Sequence, residues 1–72
     1  MLSTHQQIML LCLARRAYRS EDLAGYAVGL VVANWHQLDE GHRSLILNET
    51  RALQTVPAWG RVRKLGLTNE RP

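Results

Sequence analysis

Residues 23–38 read LAGYAVGLVVANWHQL: no Asp, Glu, Lys or Arg, with Gly25, Gly29 and Ala33 spaced four residues apart. Projected at 100° per residue, the stretch has three non-polar sides. Leu23, Ala27, Leu30, Val31 and Leu38 form one, with Asn34 set among them. Ala24, Val28, Val32 and Trp35 form the second, and Gly25, Gly29 and Ala33 the third. A helix that is apolar all round is buried on every side. Glycine in a helix interior costs about 1 kcal/mol relative to alanine, so two in register imply a compensating close contact. Two readings of that contact stay open. The small residues admit another chain, or they accommodate Tyr18 or Trp59 of the same chain.

A chain of 72 residues does not cover three apolar sides of one helix. At this length a fold buries only about 60% of its unfolded surface, and it needs disulfides, a metal, unusually good packing or oligomerisation. The single cysteine, Cys12, excludes an internal disulfide and a cysteine-rich zinc site, and it suits a reducing cytoplasm. The expectation is a homodimer with Gly25, Gly29, Ala33, Leu30 and Asn34 at its interface. A lone amide among leucines fixes register and oligomeric state in helical assemblies. An intrachain bond from Asn34 to a loop carbonyl is the alternative.

Outward from this segment, helix-start signals fall at regular intervals. Ser3 or Thr4 with Gln6 or Gln7, Ser20 with Glu21 and Asp22, and Asp39 with Glu40 each provide a cap. Pro57 fits the first turn of a fourth helix, and Gly66 fits its left-handed C-cap. These signals predict an all-α fold: a three-helix bundle with a short fourth C-terminal helix and the second helix central. A single domain spans 1–67, followed by a frayed tail at 68–72.

The first helix carries a core stripe of Leu10, Leu13, Ala14, Ala17 and Tyr18. Arg15, Arg16, Arg19, Ile8 and Cys12 lie on its other side. In the third, Leu45, Ile46, Ala52, Leu53 and Val56 are expected to be buried. Glu49 lies at the centre of that stripe, His42 beside it, and Leu47 on the opposite polar face. In the fourth, Ala58, Trp59, Val62 and Leu65 share one side, with Trp59 closing over the bundle. A carboxylate inside an apolar stripe is paired, hydrogen-bonded or protonated. Arg15, Arg19 or an arginine of a second chain is the expected partner of Glu49, unless its side chain reaches solvent at the edge of the stripe.

Composition narrows the function classes. The apolar fraction of 46% is too high for a disordered chain. Formal charge is +3, and every basic residue except Lys64 is arginine, the side chain suited to planar recognition of carboxylate or phosphate. Codon bias produces the same excess. Residues 8–14, IMLLCLA, have neither a preceding Lys or Arg nor a cleavage signal, and 23–38 falls short of the ~20 residues that span a bilayer. A soluble cytoplasmic protein is expected, with no membrane partner.

No catalytic set is present. Cys12, His36 and His42 share no sequence signature, so no enzyme, cofactor or small-molecule substrate is expected. His36, Asp39, Glu40 and His42 cluster at one junction without a metal-ligand spacing. Two arginine-rich clusters, Arg15/Arg16/Arg19 and Arg61/Arg63/Lys64, would track phosphates if brought onto one face. A helix-turn-helix needs an exposed reading helix, whereas LVVANW is core, and Ser44, Asn48, Arg51 and Thr55 are thin support. Nucleic acid is therefore the second reading. The first is a protein target met by Ile8, Arg15, Arg16, Arg19, Leu47, Arg61, Arg63 and Lys64, since arginine and apolar anchors make interface hot spots.

In general style, a short arginine-rich helical chain without catalytic apparatus resembles small accessory proteins of bacteriophages and other mobile elements. That likeness implies binding to, and inhibition of, a bacterial host regulator or machine. It is a likeness of type, carried by no residue motif.

Overall fold

The computed structural model describes residues 1–53 and 56–69, with side chains through Gly66. Every regular element among them is helical: α1 (Thr4–Ala17), α2 (Glu21–Ala33), a 3-10 turn (Trp35–Gln37) and α3 (Glu40–Thr50), then a second 3-10 turn (Pro57–Trp59) that runs into α4 (Gly60–Asn69). The expected caps start the first three helices. The Ser3 hydroxyl accepts from the Gln6 amide at 3.1 Å while the Ser3 amide donates to Gln6 Oε1 at 2.9 Å. Ser20 Oγ accepts from Leu23 N, and Asp39 Oδ1 accepts from His42 N. Each such bond satisfies an amide that the helix itself leaves free.

The decisive segment is not one continuous helix. α2 ends at Ala33 because Asn34 turns back on it: both the backbone amide and Nδ2 of Asn34 donate to the Leu30 carbonyl. Short amide side chains compete with the helical ladder in this way. The following 3-10 turn swings Trp35 inward, and extended Leu38 follows it into the core, both essentially fully buried. Within the chain the Asn34 amide bonds its own helix rather than a loop carbonyl.

The four helices fill a slab of 28 × 28 × 17 Å, about two helix diameters thin. α1 packs on α2 and α3, and α4 packs on the same two, so the four close a circuit. The fourth helix, expected to be short, has ten residues against eleven in α3. Nor is α2 surrounded. Ala24, Ala27, Val28 and Val31 face the core, and its other side faces solvent. Trp59 is fully buried and meets Tyr18 edge-on at 5.0 Å, joining the start of α4 to the end of α1.

Phase errors explain the remaining differences. Leu11 is buried and Leu13 only half-buried, because Gln7 also points inward and rotates the α1 stripe. Gln7 Nε2 donates to the Leu2 carbonyl, and Gln7 Oε1 accepts from the Asp39 amide, which ties the α1 and α3 N-termini together. In α3 the inward residues are Ile46 and Thr50. Leu45 and Ala52 are exposed, and Leu47, expected on the polar face, packs half-buried against the core. Its methyls occupy the space beside Gly66, which lies inside α4 and has no positive φ, so the left-handed cap expected there is absent. α4 continues through Asn69, two residues beyond the expected domain boundary. Thr55 and residues 70–72 of the expected tail lie outside the described residues.

Candidate binding surfaces

Two surfaces stand out. The first is the outer face of the α1–α2 hairpin. On α2, Leu23 is 53% exposed and Tyr26 64%, with exposed Gly25 and Ala33 and half-buried Gly29 and Leu30 beside them. A β-carbon built on Gly25 or Gly29 meets nothing within 4 Å. The glycines therefore do not accommodate Tyr18 or Trp59; their groove is open. On α1, Met9 is 59% exposed and Ile8 46%. Met9 and Leu13 separate two hollows: one shared with Leu2, Leu30 and Asn34 of the hairpin seam, the other with Ile8, Cys12 and Arg16. Scattered apolar residues are normal on a surface, but a contiguous apolar face marks an interaction site. Tyr26 had no role in the sequence reading, although it falls between Leu23 and Leu30 on the helical net.

The second surface is a cleft of about 420 Å³ between the C-terminal ends of α1 and α3, lined by Arg15, Arg16, Tyr18, Arg19, Glu49, Ala52 and Leu53. Glu49 is neither buried alone nor free. Arg15 Nε donates to its Oε1 at 2.8 Å and Nη2 to its Oε2 at 3.0 Å, a bidentate pair. The hydrogen bond from Arg15 outweighs partial desolvation and holds the Glu49 carboxyl below its ordinary value. Arg15 is raised in return, chiefly by the same bond. Tyr18 is 8% exposed, and its buried hydroxyl meets no partner in hydrogen-bonding geometry. Burial, then the Glu49 charge, push that phenol well above its usual range. Arg16 and Arg19 are exposed, and neither forms a salt bridge among the described residues.

The other basic cluster converges on the same turn of α3. Arg63 Nη1 donates to the Thr50 carbonyl at 2.9 Å, one residue from the Glu49 that holds Arg15. This guanidinium is a second donor to a carbonyl that also accepts from the Leu53 amide at 2.9 Å, at a helix C-terminus where a cation is favoured by the dipole. Arg61 and Lys64 are exposed on α4.

His36 is exposed in the 3-10 turn, while His42 Nδ1 lies 2.9 Å from Asp39 Oδ1. The His42 amide, then its ring, lower the Asp39 carboxyl. Among the described residues no three of His, Cys, Asp and Glu are grouped to hold a metal ion. Cys12 is a free, exposed thiol. No described helix is long and apolar enough to cross a membrane. No family model matches the chain, and neither does any curated protein or solved structure.

Proposed function

We propose that this chain is a small cytoplasmic protein-binding module that acts as a homodimer and modulates or inhibits a larger macromolecular partner, in the manner of phage or mobile-element accessory proteins. The observation that carries this reading is the outer face of α2 beyond its acidic first turn, where exposed Leu23 and Tyr26 border an open groove at Gly25 and Gly29 with no charged residue from 23 to 33. Such a face complements itself across a two-fold axis, since each copy offers both the bulky side chains and the groove that receives them. Close approach over glycine also explains why two helix-weakening residues occupy α2. Sedimentation tests it. Wild-type chain should run as a dimer at micromolar concentration and a Tyr26→Glu chain as a monomer; equal behaviour of the two contradicts the interface.

Nucleic-acid binding remains the second reading, because Arg15 and Arg63 converge on successive residues of α3. Both guanidinia are already engaged there, by Glu49 and by the Thr50 carbonyl, which favours the protein partner. Duplex DNA bound at ~50 mM salt and released steeply as salt rises would reverse that order.

A further inference from the structure

The arginine cleft has its own chemistry: it shares Arg16 with the neighbouring α1 hollow but no residue with the exposed face of α2. Three arginines against one glutamate leave it a surplus of two positive charges (3 − 1), over a floor of Ala52 and Leu53. Arginines in the last turn of α1 offset the helix dipole whatever else they do. That role explains neither the bidentate seat at Arg15 nor the buried, unpartnered hydroxyl of Tyr18 in the cleft wall. Glu49 already demonstrates the ligand this cleft accepts: a carboxylate held edge-on by a guanidinium fork.

We propose that the cleft docks an acidic side chain of a protein partner, which takes the Arg15 fork in exchange for Glu49, with Arg16 and Arg19 flanking it. The exchange costs little. The Arg15 side chain is half exposed, and an ion pair so open to water stabilises weakly. Once displaced, Glu49 stays beside the Tyr18 hydroxyl, a donor short of good hydrogen-bond geometry in the free chain but already acting on the Glu49 carboxylate. A phosphate backbone fits less well. Its evenly spaced charges would pass over a cleft with a carboxylate at its centre, and Arg63 is held on Thr50 rather than extended toward a strand.

This inference rests on the protein-binding reading and specifies the partner: an acidic segment with apolar neighbours for the Ala52 and Leu53 floor. Fluorescence anisotropy with a labelled peptide of alternating glutamate and leucine tests it, beside the same peptide with lysine for glutamate and a labelled DNA duplex. Wild-type chain should bind the glutamate peptide and not the lysine peptide. Glu49→Gln removes the internal competitor and should tighten binding about fivefold or more. A chain with both Arg16→Ala and Arg19→Ala should bind about tenfold more weakly or worse.

Tyr18→Phe should weaken binding while the thermal midpoint stays level or rises. A Glu49→Gln chain that keeps wild-type helicity but binds no tighter overturns the exchange, as does a Tyr18→Phe chain that binds like wild type. Failure of the glutamate peptide to bind at ~50 mM salt overturns the site, and duplex binding in its place assigns the cleft to nucleic acid. Because no α2 residue lines the cleft, a dimer that ignores the peptide refutes the cleft alone. A monomer that binds it refutes the dimer alone.

Discussion

Leu47 of α3 lies so close against Gly66 of α4 that a β-carbon on the glycine would overlap both leucine methyls and crowd its Cγ. Gly66→Ala gains about 1 kcal/mol of helix propensity but forces a half-buried leucine off its rotamer, which costs about 1–3 kcal/mol. The variant should be net destabilised in urea unfolding. A stabilised Gly66→Ala chain would mean that Leu47 has room to move.

Gly25 and Gly29 should respond with the opposite sign. Nothing inside the chain meets a β-carbon at either position. In dilute solution, below the dimer's dissociation, Gly25→Ala and Gly29→Ala should each stabilise the fold by about 1 kcal/mol. At high protein concentration the same changes should erode the extra stability that dimerisation confers. Thermal melts at two concentrations read both effects.

Acid should weaken the fold through two carboxylates. Glu49 is held below its ordinary value by Arg15, and Asp39 below its own by the His42 amide and ring. A carboxyl depressed in the folded state contributes stability above its unfolded pKa and loses it as pH falls through the folded value. Stability should therefore level off above about pH 5 and decline below it. Glu49→Gln should flatten part of that decline in urea midpoints measured across the range. An unchanged slope would show that the Arg15 pair does not couple to folding.

The Ser20 cap sits at the hinge of the hairpin that presents the apolar face. Ser20→Ala removes the acceptor for the Leu23 amide and should cost about 1 kcal/mol by chemical unfolding. Ser20→Asp should keep most of the stability, because a carboxylate accepts the same bond and suits the helix N-terminus.

Helix starts were legible in the sequence because Ser3, Ser20 and Asp39 act locally: cap and partner lie three residues apart. The Arg15–Glu49 pair was legible as one of two options, a carboxylate paired with an arginine or one reaching solvent at the edge of its stripe. Arg15 rather than Arg19 is settled only by how α1 lies on α3. Leu47 and Leu45 exchanged places because periodicity fixes the spacing of a stripe and not its phase; the packing of α4 onto α3 fixes the phase. The end of α2 was hidden for another reason. Asn34 bonding back to Leu30 is a local option open to any such residue, and the apolar pattern running on through Trp35 and Leu38 masks it. The surplus apolar side of α2 was legible, and in the single chain it is the side bearing Gly25, Tyr26 and Ala33 that faces solvent.

Sedimentation velocity of wild type and Gly29→Leu at micromolar concentration, with helicity followed by circular dichroism, tests the central claim most directly. A leucine at position 29 projects from the open side of α2, so the chain should remain helical. The account predicts a wild-type dimer and a folded Gly29→Leu monomer. A wild-type chain that sediments as a folded monomer contradicts it.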